Sequence, residues 1–404
     1  MRAVVTGIAP VAAIGVGREE FFRNLYLKNY NVKKADDDFL CAYNSRSKWY
    51  VPYPRKIFTE YSGYVKKLKG RAPCNAIAAT LAAELAAEDA GLPYPGIDAS
   101  VVMGVGVLNT TEMLTASESV IGNKIFFPLT ITQIIPNSAA AWISISMGLH
   151  GPANTVSTAC ASGTTAVGQA YRLIKDGYCK AVFAGGTECL IDDRALTFRG
   201  FDSIGALTGA EDGRPCPFGK NRSGFLFSEG GACVLLLEEL ETALERSAHI
   251  YAEIVDYSEC SDAYHIVMMP EDPVQIKSRM DRIFAEYDIG YYNAHGTATP
   301  MNDKTEAAIL KEVSDKYGRR PVINSTKGIT GHNLGASGAI EAAVCAYALK
   351  NGTIHGNLMD EPDENMAGLD IPTETVDMKT EYALSASFGF GGHNAFLVIK
   401  KYEQ

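Results

Sequence analysis

Two stretches of this chain repeat one another, and that repetition limits the fold more than any other feature. Ser157 and Thr158 lead into a small-residue stretch and then a helical run from Gly163 to Gly177 that ends IKDG. Ser325 and Thr326 lead into a similar stretch and a run from Gly338 to Gly352 that ends LKNG. The glycines lie 14 apart in both copies (177 − 163 and 352 − 338). Each run closes on Lys, a small polar residue and Gly, a combination that caps a helix C-terminus. The expected molecule has two structurally related halves, residues 1–245 and 246–404, joined near 241–249.

Around the repeat, short β-branched runs alternate with Ala-rich helical ones. Strands are expected at 2–6, 99–107, 181–184, 232–238, 250–257, 289–294, 321–325, 382–387 and 395–400. Helices are expected at 74–90, 162–175, 273–287, 303–316 and 336–350. The alternation implies an α/β architecture with buried sheets. Long loops are expected at 33–38, 43–53 and 359–375. The 404 residues, 47% of them hydrophobic, supply an ample core.

With 37 Lys and Arg against 47 Asp and Glu, the net charge is −10. That balance argues against broad binding to nucleic acid or anionic membranes. Nine cysteines, at 41, 74, 160, 179, 189, 216, 233, 260 and 345, form no CxxC pair and no zinc-ligand spacing, which fits a reducing cytoplasm. The opening MRAVVTGIAPVAAIG is a poor signal peptide and reads as a strand followed by a turn. No stretch reaches the roughly 18 uninterrupted apolar residues of a membrane span.

Chemistry concentrates at the repeat. Cys160, in VSTACASGTTA, stands directly before a helix, where unpaired N–H groups and the helix dipole should favour a thiolate. Small neighbours leave room for a substrate and free a backbone N–H to stabilise an oxyanion. His295, in YYNAHGTATP, lies where a strand runs into a turn, the place where α/β sheets present catalytic groups. His332, in NSTKGITGHNLGASG, lies in a glycine-rich loop before the second repeated helix. Together they suggest Cys/His/His catalysis. The tail SFGFGGHNA can aim a backbone N–H into a site. No phosphate-binding loop is present.

These motifs in this order resemble the β-ketoacyl-ACP synthase, or ketosynthase, family of the thiolase superfamily. The matching blocks, among them STACASGTTAVGQA, NAHGTATPMNDKTE, STKGITGHNLGASGAIEA and SFGFGGHNA, span almost the whole chain. The resemblance implies a thiolase-like five-layer αβαβα fold of two pseudo-duplicated halves. It implies a decarboxylative Claisen condensation, in fatty-acid or type II polyketide or polyene synthesis, without metal or free cofactor. Cys160 would carry the acyl group, and His295 and His332 would bind the malonyl thioester and assist its decarboxylation. The N–H groups of Cys160 and Phe390 would form the oxyanion hole, with Phe390 also the gate. Lys327 would hold the histidine network through a carboxylate, with Glu229 and Glu341 as candidates. Thr297, Thr299, Phe388, His393 and Val267 would line the phosphopantetheine route. The basic run Lys66, Lys67, Lys69 and Arg71 aligns with the edge on which the family docks acyl carrier protein. The expected assembly is a homodimer or a heterodimer with a chain-length-factor-like subunit.

The chain departs from the family pattern at His393 and Val267, where threonines are usual, in NRSGF at 221–225, and at Val107, Leu108 and Asn109. None of these is a catalytic position, so specificity should differ while chemistry survives. A CoA-dependent thiolase is disfavoured because 385–394 contains no cysteine, and a non-catalytic partner subunit because Cys160 is present.

Overall fold

The computed structural model describes residues 1–36, 45–92 and 98–403. Parts of the expected loops at 33–38 and 43–53, and Cys41, lie outside the described residues. Among the described residues the main sheet has eleven strands, ten of which are β1 (Ala3–Ala12), β2 (Ser100–Gly104), β3 (Ala153–Val156), β4 (Ala181–Cys189), β5 (Gly230–Glu239), β6 (Ala252–Ser261), β7 (Ile289–Asn293), β8 (Val322–Asn324), β9 (Tyr382–Gly389) and β10 (His393–Lys401). Their spatial order is β8-β7-β9-β10-β6-β1-β5-β4-β2-β3, with the short strand Gly15–Val16 paired to β1.

That order contains one plan twice. In the first block β1 lies antiparallel to β5, β5 antiparallel to β4, and β4 parallel to β2, which is parallel to β3. In the second block β6, β10, β9, β7 and β8 repeat the same succession and the same directions. The blocks meet where Ala3, Val4 and Val5 pair with Ile254, Glu253 and Ala252.

Burial converts the sheet into five layers. Residues alternate along each strand, so Val182 and Ala184 face one core while Ala181 and Phe183 face another. The helices α1 (Cys74–Asp89) and α2 (Ser138–Met147) cover the outer face of the first block. The repeated helices α3 (Ser162–Lys175) and α6 (Ser337–Asn351) fill the middle, and α4 (Val274–Glu286) and α5 (Pro300–Tyr317) cover the second block. In α6, twelve of fifteen residues are buried, as a helix packed on every side must be. The repeat glycines explain the close crossing of the middle helices. A Cβ on Gly163 would come within 2.7 Å of Ala339 N, and one on Gly338 within 2.0 Å of Thr164 Oγ1.

The structure extends the expected first strand from residue 6 to residue 12, through Pro10, whose carbonyl accepts the N–H of Gly17. It also carries the strand expected to stop at 184 on to Cys189. Among the described residues no helix is long and apolar enough to cross a membrane.

Candidate active site

The strand β3 leads into an elbow at Ala159 (φ +50°) that places Cys160 just before α3. Cys160 opens on a cavity of about 460 Å³ whose walls also include His295, His332, Phe388 and Phe390. They come from three separate pieces of chain: His295 from the loop after β7, His332 from the turn before α6, and Phe388 and Phe390 from the β9–β10 hairpin. Gly389 allows the hairpin to lie against the elbow, since a Cβ there would sit 2.6 Å from the Thr158 carbonyl oxygen.

The imidazoles of His295 and His332 stand edge to face, ring centroids 5.7 Å apart. Ser337 Oγ lies 3.1 Å from His332 Nδ1, so a hydroxyl donating there leaves Nε2 as an N–H donor. Phe225 packs edge-on against the same ring at 5.1 Å. His295 Nδ1 is buried without a hydrogen-bond partner, and Phe388 packs against its ring at 5.5 Å. Burial, reinforced by the Lys327 ammonium, holds both imidazoles well below their ordinary pKa and therefore neutral.

The expectation of a dipole-stabilised thiolate is corrected by the burial of Cys160. Desolvation pushes its thiol up to about 12, Glu188 adds to the rise, and Lys327 and the N–H groups of Phe390 and Cys160 act in the opposite direction. Here the loss of solvation outweighs the helix terminus. The resting group is a thiol whose proton must be accepted as it attacks.

Lys327 does not touch the cavity. It is buried and paired with Glu341, near enough to both histidines for its charge to act on them. Glu229, the other carboxylate expected to serve Lys327, is elsewhere: it accepts the Tyr53 N–H at 2.8 Å and lines a separate hollow of about 240 Å³. His393 is likewise displaced from its expected place on the pantetheine route. As the first residue of β10 it points outward, bordering a hollow of about 270 Å³ formed with Thr158, Glu259 and Cys260. Val267, Thr297 and Thr299 do line the main cavity, with the two threonine hydroxyls 2.9 Å apart. Lys66, Lys67, Lys69 and Arg71 are exposed and lie outside the cavity wall.

Three buried carboxylates escaped the sequence reading. Glu306 accepts the N–H groups of His295 (2.8 Å) and Gly296 (2.9 Å) and the Tyr292 hydroxyl (2.8 Å). Asp303 accepts those of Phe218 (2.7 Å) and Ala298 (3.1 Å). Both fix the His295 loop. Their signal was available in the helix-opening acids that follow TATP, at spacing i, i+3. Glu188, at the end of β4, accepts the N–H groups of Gly106 (3.0 Å), Val107 (3.1 Å) and Gly335 (2.9 Å). It had no local signal, because its partners lie 82, 81 and 147 residues away.

Known proteins resemble this chain in sequence and fold. The N-terminal domain of beta-ketoacyl synthases matches residues 1–243, and their C-terminal domain residues 251–359. The 3-oxoacyl-[acyl-carrier-protein] synthase 2 of Synechocystis sp. is 33% identical over 422 residues, covering 100% of this chain and 98% of the relative. The ishigamide ketosynthase/chain length factor has 28% identity and a TM-score of 0.85 over 100% of this chain and 99% of that one. A type II PKS acyl-carrier protein in complex with its ketosynthase bound to the hexaketide gives 27% identity and a TM-score of 0.85, with coverage of 100% and 99%. The duplicated sheet plan confirms the expected thiolase-like five-layer fold, and with both domains matched in sequence order this chain belongs to the beta-ketoacyl synthase family.

Proposed function

We propose that this chain catalyses the decarboxylative condensation of an acyl group held on Cys160 with malonyl-ACP, giving 3-oxoacyl-ACP. The observation that carries this reading is the convergence of Cys160, His295 and His332 on one cavity. In the first step the Cys160 thiol loses its proton as sulfur attacks the acyl thioester, and the phosphopantetheine thiol leaves with a proton. The N–H groups of Cys160 and Phe390, both of which act on the sulfur, receive the oxyanion, an interaction worth about 3 kcal/mol per donor. In the second step neutral His295 and His332 donate hydrogen bonds to the malonyl thioester oxygen. The carboxylate departs as CO₂, and the electron pair of the broken C–C bond forms the enolate. The enolate carbon then attacks the Cys160 thioester, and the Cys160 sulfur leaves as a thiolate that takes up a proton from water to restore the resting thiol. Neutral imidazoles suit this task because they stabilise the enolate oxygen without protonating the nucleophilic carbon.

Lys327, held in place by its pairing with Glu341, keeps the field at the histidines positive. Thr297, Thr299, Phe388 and Val267 form the phosphopantetheine route, and the only prosthetic arm is the carrier's own. The carrier docks on Lys66, Lys67, Lys69 and Arg71, where local positive charge steers an acidic partner despite the overall −10. The chain works in the cytoplasm. Its halves divide between residues 245 and 246.

Pairing with a second subunit, either another copy or a chain-length-factor-like partner, has support in the surface around 108–135. Ile121, Ile125 and Ile131 are 82, 98 and 69% exposed, and among the described residues β3 is an edge strand of the sheet.

Mass spectrometry after incubation with a panel of acyl-ACPs tests the reaction. An acyl mass on Cys160 that disappears when malonyl-ACP is added supports it, and no acylation from any donor overturns it.

A further inference from the structure

The carboxylate of Glu188 lies at a junction that none of the preceding steps uses. Three chain segments close around the back of the Cys160 pocket: 105–107 after β2, the elbow at Ala159, and the turn at Gly335 that follows His332. They approach so closely that two must be glycine. A Cβ on Gly106 would fall 2.7 Å from Glu188 Oε2 and 3.1 Å from both the Ala159 carbonyl oxygen and Gly335 N. A Cβ on Gly335 would fall 2.4 Å from Gly106 N and 2.8 Å from Glu188 Oε2. Glu188 Oε2 accepts from Gly106 and Gly335, and Oε1 accepts from Val107. The residue is 1% exposed, so solvent offers these N–H groups no alternative acceptor. A carboxylate is the one side chain of this length that presents two acceptor oxygens and no donor.

We propose that Glu188 is a positioning residue for the condensation: by tying the 106–107 wall to the turn at Gly335, it sets the separation between Cys160 and His332. The assignment rests on the reaction proposed above. Acylation needs the thiol and the oxyanion hole. Carbon–carbon bond formation also needs the enolate at His332 to stand within reach of the thioester, and small misplacements cost such steps heavily. Burial raises the Glu188 carboxyl to about 8, against the N–H groups of Gly335, Val107 and Gly106 that lower it, so in the range where Cys160 ionises it is an anion near the sulfur; the other charged or titratable groups facing this site are Lys327, paired with Glu341, and, along the cavity wall, His295, His332, Asp262, Tyr264 and Glu271.

Two variants separate reach from charge. Glu188→Gln keeps the length, removes the charge and turns an NH₂ toward at least one backbone N–H. Glu188→Asp keeps the charge but is too short to span both segments. Rates are taken per enzyme molecule whose Cys160 reacts with iodoacetamide, which removes misfolded protein from the comparison. Condensation should fall by about tenfold or more in both variants, while acylation of Cys160 falls by less than about threefold. The iodoacetamide profile against pH should move to lower pH in Glu188→Gln and stay in place in Glu188→Asp. A variant that condenses at the wild-type rate, or an equal loss of acylation and condensation in both, overturns the proposal. Wild-type enzyme that acylates but never condenses would instead overturn the reaction on which it rests.

Discussion

The two copies of the strand–elbow–helix unit end in the same backbone and in different chemistry. An offset of 175 residues (338 − 163) carries Ala159 onto Leu334 and Cys160 onto Gly335. Both elbows take up positive φ, +50° at Ala159 and +44° at Leu334, an uncommon conformation for residues with a side chain. In the first copy the elbow presents a thiol to the cavity. In the second it presents no functional side chain, its N–H is held by Glu188, and the loop just before it bears His332. A duplicated fold thus uses one elbow to hold a nucleophile and the other to seat a histidine opposite it.

The sharpest way to break this contrast is to remove the thiol. Cys160→Ala should lower acyl transfer and condensation by about a thousandfold or more, with little change in melting temperature. Retained acyl transfer would mean that the elbow is not where the nucleophile resides. His332→Ala should lower malonyl-ACP decarboxylation by about a hundredfold or more while leaving Cys160 able to take up an acyl group, as two half-reaction assays would show. Lys327→Ala leaves Glu341 buried without its cation and should cost about 3 to 5 kcal/mol in urea unfolding. Because Lys327 favours the thiolate, the same variant should move Cys160 alkylation to higher pH, and a shift to lower pH would contradict the assigned sign. Gly335→Ala forces a Cβ against Gly106 and should destabilise by about 1 to 3 kcal/mol, whereas Gly200→Ala, in open space, should change stability by less than about 0.5 kcal/mol. The smallest effect belongs to the basic run. Changing Lys66, Lys67, Lys69 and Arg71 to Glu should weaken carrier binding and its salt dependence without altering iodoacetamide labelling of Cys160.

Periodicity and turn chemistry carried most of the fold. α3 begins and ends where the apolar pattern and its C-terminal Lys-Asp-Gly place it, and β7 and β9 start at the expected residues. The misreadings came from residues whose local meaning is overruled by packing. Gly185 and Gly186 look like a strand end, yet they sit inside β4 because side chains there would strike the Cys233 and Gly335 carbonyls at 1.9 and 2.2 Å. At the site, the nucleophile and histidines could be read because loops with glycine and small residues advertise them. The ionisation of Cys160 could not, because it depends on how completely distant segments exclude water. His393 shows a further limit, since alternation along β10 decides which side of the hairpin a residue faces, and motif position alone does not.

The pairing of β1 with β5 and β6 also governs how the molecule is made. Apart from the short strand Gly15–Val16 at its end, the first strand finds its neighbours at residues 232–239 and 252–254, so during synthesis most of it must wait for more than half of the chain to emerge. Contacts of such long range slow folding and leave an apolar strand unpaired in the interval. Expression yield should therefore respond to chaperone supply more strongly than to substitutions in surface loops.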